Sequence, residues 1–168
     1  MKERVLVTGG TGYIGSHTVV ELLEAGYEVV VVDNLSNSSA EVIDGIARIT
    51  GTRPPLEVVD CTDLAAMNQV FQKYGHIDAV IHFAAFKAVG ESVQKPLDYY
   101  SNNLQSLITV LRLLATYKGR GFVFSSSCTV YGQPDQLPVT EEAPIKPALS
   151  PYGNTKQIGE EIIRDATA

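Results

Sequence analysis

The side chains of Tyr152 and Lys156 have the types and the spacing needed to move a proton on an alcohol or a ketone. They form the pattern Y-x-x-x-K, and on a helix residues four apart project from the same face, so an ammonium lies close to a phenol. A free phenol is a poor base at neutral pH, but a nearby cation favours the phenolate, which can accept a proton. The pair alone is common on solvated helix faces, so its meaning depends on the residues around it.

A hydroxyl that could hold a substrate oxygen comes from the run Phe122–Ser127, in which three serines follow an apolar segment. Such a segment is typical of a buried strand. Because the carboxyl ends of parallel strands border the ligand cleft in α/β proteins, a serine hydroxyl at this place is well located to contact a substrate.

The glycine-rich segment Gly9–Gly15 follows one apolar run and precedes a helical pattern. Gly9, Gly12 and Gly15 form G-x-x-G-x-x-G, and the spacing G-x-G-x-x-G starts at Gly10. Glycine is needed where a turn takes positive φ and where the backbone approaches a pyrophosphate without an intervening Cβ. The helix that follows offers N–H groups and its positive dipole end to phosphates. Glycine clusters often mark plain turns, but in this context the segment predicts a dinucleotide site.

Asp33 ends the second apolar run, about twenty residues after the glycines, as in dinucleotide-binding proteins. A carboxylate there accepts hydrogen bonds from the adenosine ribose hydroxyls and repels a 2′-phosphate. No Lys or Arg stands between Asp33 and Glu41 to bind such a phosphate. The sequence therefore predicts NAD rather than NADP, with residues Asn34–Ser38 forming the loop around the ribose. A turn or helix-capping role for Asp33 is the alternative.

Asp60 follows the third apolar run and has two equally supported interpretations. Its carboxylate could reach the adenine amino group at the carboxyl edge of the sheet. It could also form an Asx turn ahead of Asp63, which is placed to cap the next helix.

The elements that must position these residues alternate along the chain. Short apolar, β-branched runs predict strands at Arg4–Thr8, Glu28–Val32, Leu56–Val59, Ala79–His82 and Gly121–Ser125. Apolar stripes at helical spacing predict helices near Ile14–Leu23, Ala40–Ile49, Leu64–Tyr74 and Leu104–Leu114. Strand–helix–strand units of this length form right-handed crossovers, so we expect an α/β fold with a doubly wound parallel sheet.

A proline-rich stretch interrupts this alternation. Residues Gln133–Pro151 hold five of the eight prolines, which predicts a stiffened surface loop. Ser150 and Pro151 then fit the N-cap and the first position of a helix. We expect that helix to span Tyr152–Asp165 and to carry the tyrosine–lysine pair.

Composition narrows the classes of function. The 168 residues are 45% hydrophobic and 19% charged, which is ordinary for one packed domain. A balance of 13 basic against 19 acidic residues gives a net charge of −6, which disfavours binding to nucleic acid or an anionic membrane. Cys61 and Cys128 belong to no Cys/His array, so we expect no metal site and reduced thiols. The apolar run after Arg4 is too short for a signal or a membrane span, so we expect a cytoplasmic protein.

Together these features resemble the extended short-chain dehydrogenase/reductase family, and the resemblance covers essentially the whole chain. Within that family the sequence is most similar to enzymes that invert C4 of a UDP-linked sugar. The strings that carry the resemblance are Thr8–Thr18, Val32–Leu35, Val80–Ala85, Lys87–Pro96 and Ser125–Gly132.

The resemblance implies a Rossmann fold that binds NAD, and it assigns the site residues. Cofactor positions correspond to Gly9, Gly12, Tyr13, Ile14 and Gly15 at the pyrophosphate, Asp33, Asn34, Leu35, Ser36, Asn37 and Ser38 at the ribose, Asp60 and Cys61 at the adenine, and Phe83, Ala84, Ala85, Lys87 and Asn102 elsewhere. Ser127, Tyr152 and Lys156 match the catalytic positions and also contact the cofactor. Without the resemblance, Lys87 is interpreted as a surface lysine and Asn102 as a polar helix residue. His17 and His82 are interpreted as structural.

The implied reaction is a reversible oxidation at one carbon that interconverts UDP-glucose and UDP-galactose. Tyr152 takes the proton of the C4 hydroxyl, hydride passes from C4 to NAD, and a 4-keto sugar forms. Ser127 binds the C4 oxygen, and Lys156 binds the nicotinamide ribose and supports the phenolate. Return of the hydride to the other face of the ketone gives the epimer without net oxidation, so NAD is expected to be tightly held.

Other functions compete with this one. A nucleotide-sugar 4,6-dehydratase carries an Asp–Glu pair where this chain has Cys128 and Thr129, which argues against elimination of water. A nucleotide-sugar dehydrogenase or reductase needs the same three catalytic residues and differs in releasing NADH. A non-catalytic NAD-binding module completed by a partner is the alternative of a different class.

The chain of 168 residues is much shorter than members of the family that it resembles. We therefore expect residues 1–168 to form an NAD-binding Rossmann domain that is truncated after the tyrosine–lysine helix and lacks the C-terminal substrate domain, so that activity of this chain is weak or absent. The resemblance also implies a homodimer in which the Leu104–Leu114 helix meets a neighbour. The same stripe is what a helix covering a sheet shows.

Overall fold

The computed structural model describes residues 2–167 and divides them into two compact units. The first unit contains residues 2–85 and 106–125, and the second contains residues 86–105 and 126–167. Within the described residues, no helix combines the length and the apolar composition needed to cross a membrane.

A parallel sheet of five strands forms the centre of the first unit, in the order β3-β2-β1-β4-β5. The strands are β1 Arg4–Thr8, β2 Glu28–Asp33, β3 Leu56–Val58, β4 Ala79–His82 and β5 Gly121–Phe124. All of the predicted strands are confirmed, and each bound lies within one residue of its prediction. The doubly wound parallel sheet expected from the alternation of elements is therefore present.

The strand order reverses direction beside β1, and this places the carboxyl ends of two strands next to each other. From β1 the chain goes to β2 and β3 on one side and then to β4 on the other. Thr8, the last residue of β1, pairs with Val32 on β2 and with His82 on β4. Ligands of open α/β sheets bind in the crevice outside such a switch point.

Alternate residues of each strand point to opposite faces of the sheet, and each set is buried in its own hydrophobic core. Because both sets are apolar, the strands appear in the sequence as continuous apolar runs. On one face Leu6, Val30 and Val80 pack in a cluster with residues of α3, Leu64–Tyr74, and α5, Pro96–Thr116. On the other face Val5, Val7, Val29 and Val31 pack in a cluster with residues of α1, Tyr13–Glu24, and α2, Glu41–Thr50.

The apolar stripe of α5 is used by the first of these cores. Leu107, Val110, Leu113 and Leu114 are all buried, and the last three belong to the cluster that contains Leu6 and Val80. The stripe is therefore accounted for by a helix that covers the sheet.

The second unit holds α4, Val89–Gln94, the first half of α5, a 3-10 helix at Cys128–Tyr131 and α6, Pro151–Ala166. Helix α4 and the 3-10 helix were not predicted, because helices of six and four residues are too short to show a periodic stripe. The predicted helix started at Leu104 instead of Pro96, because the first turns of α5 are polar. Pro96 at the first helical position was the signal for the earlier start.

The predictions of a proline-rich loop and of a helix after it are confirmed. No helix or strand lies between Gly132 and Ser150. Helix α6 begins at Pro151, and Oγ of its N-cap Ser150 accepts a hydrogen bond from the Gly153 amide at 3.1 Å.

Candidate active site

The glycine turn of the first unit has a backbone that only glycine can follow at two positions. Gly9 has φ +69°, and a Cβ added there would lie 2.8 Å from the Ala84 amide nitrogen. A Cβ on Gly15 would lie 2.2 Å from the Gly9 carbonyl oxygen. Because nothing but hydrogen fits at these two Cα atoms, the backbone of the turn packs tightly against the segment after β4 and against the start of α1.

The start of α1 is left without a capping side chain. Its N-cap is Gly12, and the first N–H groups of an α-helix have no carbonyl partner within the helix. Tyr13 and Ile14, which begin the helix, are 79% and 61% exposed. This helix terminus therefore has the polar donors and the open surroundings that suit a phosphate.

Asp33 organises the turn and the loop after β2. Its Oδ2 accepts a hydrogen bond from the Thr11 amide at 3.2 Å. Its Oδ1 accepts from the Leu35 amide at 2.9 Å and from the Ser38 hydroxyl at 3.2 Å. The Thr11 and Ser38 hydroxyls lie 2.7 Å apart, so a closed network joins the two segments. The turn role that was the alternative for Asp33 is thus present, and one lone-pair direction is left for a ligand.

The loop after Asp33 has one residue in an unusual conformation. Leu35 has φ +58°, and it is held there by its hydrogen bond to Asp33. Asn34, Ser36 and Asn37 are exposed, and the Ser36 amide donates to Oδ1 of Asn34 at 3.1 Å. The predicted ribose loop is therefore a fixed turn with exposed polar side chains.

Asp60 forms the Asx turn that was one of its two interpretations. Its Oδ1 accepts from the amide and the hydroxyl of Thr62 at 2.8 and 2.7 Å, and its Oδ2 accepts from Nδ2 of Asn34 at 3.1 Å. Partial burial opposes ionisation, but these hydrogen bonds hold the pKa of Asp60 below its ordinary value. Asp63 caps α3 as predicted, accepting from the Ala65 and Ala66 amides. The adenine role of Asp60 stays a prediction.

Cys61 belongs to the core rather than to an exposed surface. It is 6% exposed and packs in the cluster with Leu6 and Val80. Burial, with smaller contributions from Asp60 and Asp33, raises the pKa of its thiol to about 12. The thiol is therefore neutral and unreactive, and its predicted place at the adenine is not tested.

The segment Phe83–Ala85 lies directly against the glycine turn. The Phe83 amide donates to the Thr8 carbonyl at 3.0 Å, and the Ala84 amide donates to the Thr8 hydroxyl at 3.4 Å. That hydroxyl also lies 2.7 Å from Nδ1 of His82, which is 1% exposed. The ends of β1 and β4 are thus tied together at the switch point.

In the second unit, Tyr152 and Lys156 lie one turn apart on α6, as their spacing requires. Nζ of Lys156 lies 5.9 Å from the centroid of the Tyr152 ring. Lys156 is 4% exposed, and burial lowers the pKa of its ammonium to about 8. The group therefore remains mostly protonated at pH 7 next to the phenol ring.

Ser127 is the N-cap of the 3-10 helix Cys128–Tyr131. Its Oγ accepts hydrogen bonds from the Thr129 amide at 3.3 Å and from the Thr129 hydroxyl at 2.9 Å. With its oxygen accepting both bonds, Ser127 keeps its own hydroxyl proton for donation to another oxygen.

Thr129 and Asn103 contact predicted site residues but were not themselves predicted. Nδ2 of Asn103 donates to the Phe86 carbonyl and to the Thr155 hydroxyl, both at 3.0 Å. Its Oδ1 accepts from the Phe86 amide at 2.8 Å and from Nδ2 of Asn102 at 3.0 Å. The available signal for Thr129 was the Ser-x-Thr spacing, and for Asn103 it was a polar residue on the buried face of a helix.

The predicted site residues thus fall into two groups. The first unit contains the glycine turn, Asp33–Ser38, Asp60, Cys61 and Phe83–Ala85. The second contains exposed Lys87, half-buried Asn102, and the three catalytic candidates Ser127, Tyr152 and Lys156. Among residues 2–167, no group of three or more His, Cys, Asp or Glu side chains is arranged to hold a metal ion.

Comparisons with known proteins show similar sequences. The chain is 52% identical over 168 residues to UDP-glucose 4-epimerase 2 of Arabidopsis thaliana, covering 98% of this chain and 47% of that protein. It is 50% identical over 171 residues to the human UDP-glucose 4-epimerase, covering 98% and 49%.

Solved structures are also similar. The UDP-glucose 4-epimerase of Bifidobacterium longum, crystallised with NAD+ and UDP, superposes with a TM-score of 0.93 at 48% identity, over 96% of this chain and 48% of that one. The enzyme of Stenotrophomonas maltophilia, crystallised with NAD and a formylated UDP-arabinopyranose, gives 0.92 at 47% identity, over 97% and 48%.

The chain spans about half the length of the relatives that it matches. A family model described as the NAD dependent epimerase/dehydratase family matches residues 5–168. The resemblance inferred from the motifs is confirmed, and this chain belongs to the NAD dependent epimerase/dehydratase family.

Proposed function

We propose that this chain supplies the NAD-binding half and the proton-transfer residues of an enzyme that interconverts UDP-glucose and UDP-galactose. The observation that carries the proposal is the buried Lys156 ammonium 5.9 Å from the Tyr152 ring, in a chain 52% identical to a UDP-glucose 4-epimerase. The substrates and the activity are those named for the relatives, which are about twice as long.

The residues of the first unit fit NAD. A Cβ at Gly9 or Gly15 would collide with backbone, so the turn is built for close approach, and α1 begins without a capping side chain. Asp33 at the end of β2 offers a carboxylate to the ribose hydroxyls and disfavours a 2′-phosphate. The residues proposed to hold NAD are Gly9, Gly12, Tyr13, Ile14, Gly15, Asp33, Asn34, Leu35, Ser36, Asn37, Ser38, Asp60, Cys61, Phe83, Ala84 and Ala85, with Lys87, Asn102, Ser127, Tyr152 and Lys156 from the second unit. When bound, NAD supplies a hydride acceptor and, once reduced, a hydride donor.

Tyr152 moves the proton. Its phenolate accepts the proton of the C4 hydroxyl while hydride leaves C4, so the alcohol loses one proton and one hydride and becomes a 4-keto sugar. After the ketone has presented its opposite face, hydride returns to C4 and Tyr152 gives the proton back to the oxygen. The product is the C4 epimer, and no net oxidation occurs.

Ser127 and Lys156 support this transfer. The Ser127 hydroxyl has both observed hydrogen bonds arriving at its oxygen, so its proton can be donated to the C4 oxygen as charge develops there. The Lys156 ammonium lies 5.9 Å from the centroid of the Tyr152 ring, and its positive charge stabilises the negative charge that develops on the phenol oxygen during the transfer.

Two measurements test the proposal. Calorimetric titration of the chain with NAD and NADP tests binding and selectivity, and a coupled assay for conversion of UDP-galactose to UDP-glucose tests the reaction in the complete protein. We expect NAD to bind more tightly than NADP. We expect Tyr152→Phe to lower kcat by about 10²–10⁴-fold while the Kd for NAD changes by less than about threefold. Tyr27→Phe, in the first unit, is the control.

Retained kcat in Tyr152→Phe would contradict the proposed base. Accumulation of NADH, seen as absorbance at 340 nm in proportion to the substrate consumed, would indicate a nucleotide-sugar dehydrogenase instead. NAD binding without turnover would favour a non-catalytic NAD-binding module instead.

We also propose a cytoplasmic homodimer. Two free cysteines, buried Cys61 and exposed Cys128, support a reducing compartment. Because Val110, Leu113 and Leu114 already cover the sheet, a dimer contact would use other residues of α5. Sedimentation velocity at high concentration tests the dimer, and a single monomeric species would refute it.

A further inference from the structure

Helix α6 presents a second row of residues beside the tyrosine–lysine pair. Gly153, Gln157 and Glu160 follow at i, i+4 and i+7, a spacing that places them on one face of the helix. All three contact the segment Ser126–Val130, which carries Ser127. None of the three was among the site residues expected from the sequence.

The two long side chains of this row hold both ends of the segment. Ser126 directly precedes Ser127, and its hydroxyl donates a hydrogen bond to Oε1 of Glu160. Nε2 of Gln157 donates to the Val130 carbonyl at 2.7 Å, three residues after Ser127, and to the Lys146 carbonyl at 2.5 Å. A hydrogen bond to a carboxylate is stronger than a neutral one, so the Glu160 contact is the firmer of the two.

The glycine of the row lets the middle of the segment approach closely. A Cβ on Gly153 would lie 3.2 Å from both Cβ and Oγ1 of Thr129. The amide and hydroxyl of Thr129 in turn donate to Oγ of Ser127. Contacts from α6 therefore reach the Ser127 hydroxyl through Thr129 as well as through the ends of the segment.

We propose that Gln157 and Glu160 are positioning residues that hold the Ser127 hydroxyl in place relative to Tyr152, which lies on the same helix. This inference rests on the proposed function, because it concerns the group that binds the C4 oxygen. Neither side chain needs to touch the substrate or NAD. Since a displacement of about 1 Å can cost about 10²-fold in rate, their loss should lower kcat by far more than it weakens the Kd for NAD.

The variants are Gln157→Ala and Glu160→Ala, with Glu160→Gln as the conservative replacement. The amide oxygen of Gln can still accept from Ser126, so Glu160→Gln should restore most of what Glu160→Ala loses. Glu161→Ala is the matched control, because Glu161 is the exposed neighbour on the same helix.

The first measurement is amide hydrogen exchange of Thr129 and Val130 by NMR, which needs no substrate. These amides donate to Oγ and O of Ser127. We expect Gln157→Ala and Glu160→Ala to speed their exchange by about tenfold or more, as expected for a local opening that becomes easier. Unchanged exchange in both variants would overturn the proposal.

The second measurement is kcat of the complete protein, with and without Ser127→Ala. If Gln157 and Glu160 act through Ser127, each Ala variant lowers kcat by about 10–100-fold in the native background and adds little to Ser127→Ala. An equal additional loss in the Ser127→Ala background would overturn the positioning role. Absence of turnover in the unmodified protein would refute the proposed function, whereas the exchange measurement would still decide whether α6 holds the segment.

Discussion

The ammonium nitrogen of Lys156 lies 5.9 Å from the centroid of the Tyr152 ring, and the lysine is 4% exposed. Burial disfavours the charged form and lowers the pKa of this amine to about 8 from 10.5. A cation kept in this place opposes stability, whereas the proposed reaction uses its positive charge beside Tyr152. The buried Lys156 ammonium therefore lowers the stability of the folded chain, while the proposed proton transfer needs it.

Replacing Lys156 with Met should stabilise the protein and abolish its turnover. Met removes the buried charge and keeps most of the apolar side chain, so we expect the free energy of unfolding at pH 7 to rise by about 1–3 kcal/mol. Urea unfolding measures the gain, and the UDP-galactose assay measures the loss.

The gain from Lys156→Met should depend on pH in a direction fixed by the lowered pKa. Below about pH 8 the amine is charged in both folded and unfolded chains, and its burial costs stability in full. Between about 8 and 10.5 the folded chain releases the proton first, so the native protein gains stability and the advantage of Met shrinks. Lys2→Met, at an exposed lysine, is the control. A pH-independent gain would show that packing rather than charge is responsible.

Replacing Gly15 with Ala should disrupt the glycine turn. The new Cβ would lie 2.2 Å from the Gly9 carbonyl oxygen, so the backbone must shift. We expect a loss of about 1–3 kcal/mol in the free energy of unfolding and at least a tenfold weaker Kd for NAD. Gly45→Ala is the matched control, because Gly45 lies within α2 and nothing is within 4 Å of its added Cβ. That change should be neutral or stabilising by about 0.5–1 kcal/mol. Equal NAD affinity in the two variants would refute the role of the turn.

The sheet and its covering helices could be predicted from the sequence because each of them carries a periodic signal of its own. Val29–Val32 is buried on both faces, and the stripe of α5 repeats over several turns. The second unit carries less local signal. The 3-10 helix Cys128–Tyr131 is set by the Ser127 cap and by its contacts with α6, which lie more than twenty residues away in sequence.

The geometry of the candidate site was predictable where one segment of chain contains the whole feature, as with the glycine turn or the one-turn spacing of Tyr152 and Lys156. The role of Asp60 could not be decided from the sequence, because an Asx turn and a ligand contact need the same residue at the same place. Gln157 and Glu160 were missed because their partners Val130 and Ser126 are distant in sequence and are brought near only by folding.

Replacing Asp33 with Asn should separate its two roles. Asn offers one acceptor oxygen where the carboxylate accepts from Thr11, Leu35 and Ser38, so an amide donor would face another donor. We expect a loss of about 1–3 kcal/mol in the free energy of unfolding and at least a tenfold weaker Kd for NAD. Because the repelling charge is gone, the Kd for NADP should weaken less than that for NAD. Ser38→Ala, which removes one donor only, is the control. Equal weakening for the two cofactors would show that Asp33 acts only through the turn.

Replacing Lys118 with Gly should stabilise the first unit without touching either group of site residues. Lys118 follows the end of α5 and is exposed, with φ +58°. Its amide donates to the Ala115 carbonyl at 3.2 Å, and the Gly119 amide donates to the Leu114 carbonyl at 2.9 Å. These bonds are those of a helix end that prefers glycine at the left-handed position.

Relief of the left-handed strain contributes about 1–2 kcal/mol, and the greater freedom of glycine in the unfolded chain offsets part of it. We therefore expect Lys118→Gly to raise the free energy of unfolding by about 0.5–1 kcal/mol and Tm by about 1–4 °C, measured by calorimetry. Lys118→Ala removes the same charge but keeps a Cβ at positive φ, so it should give no gain. A gain of equal size in the Ala variant would assign the effect to charge and refute the argument from φ.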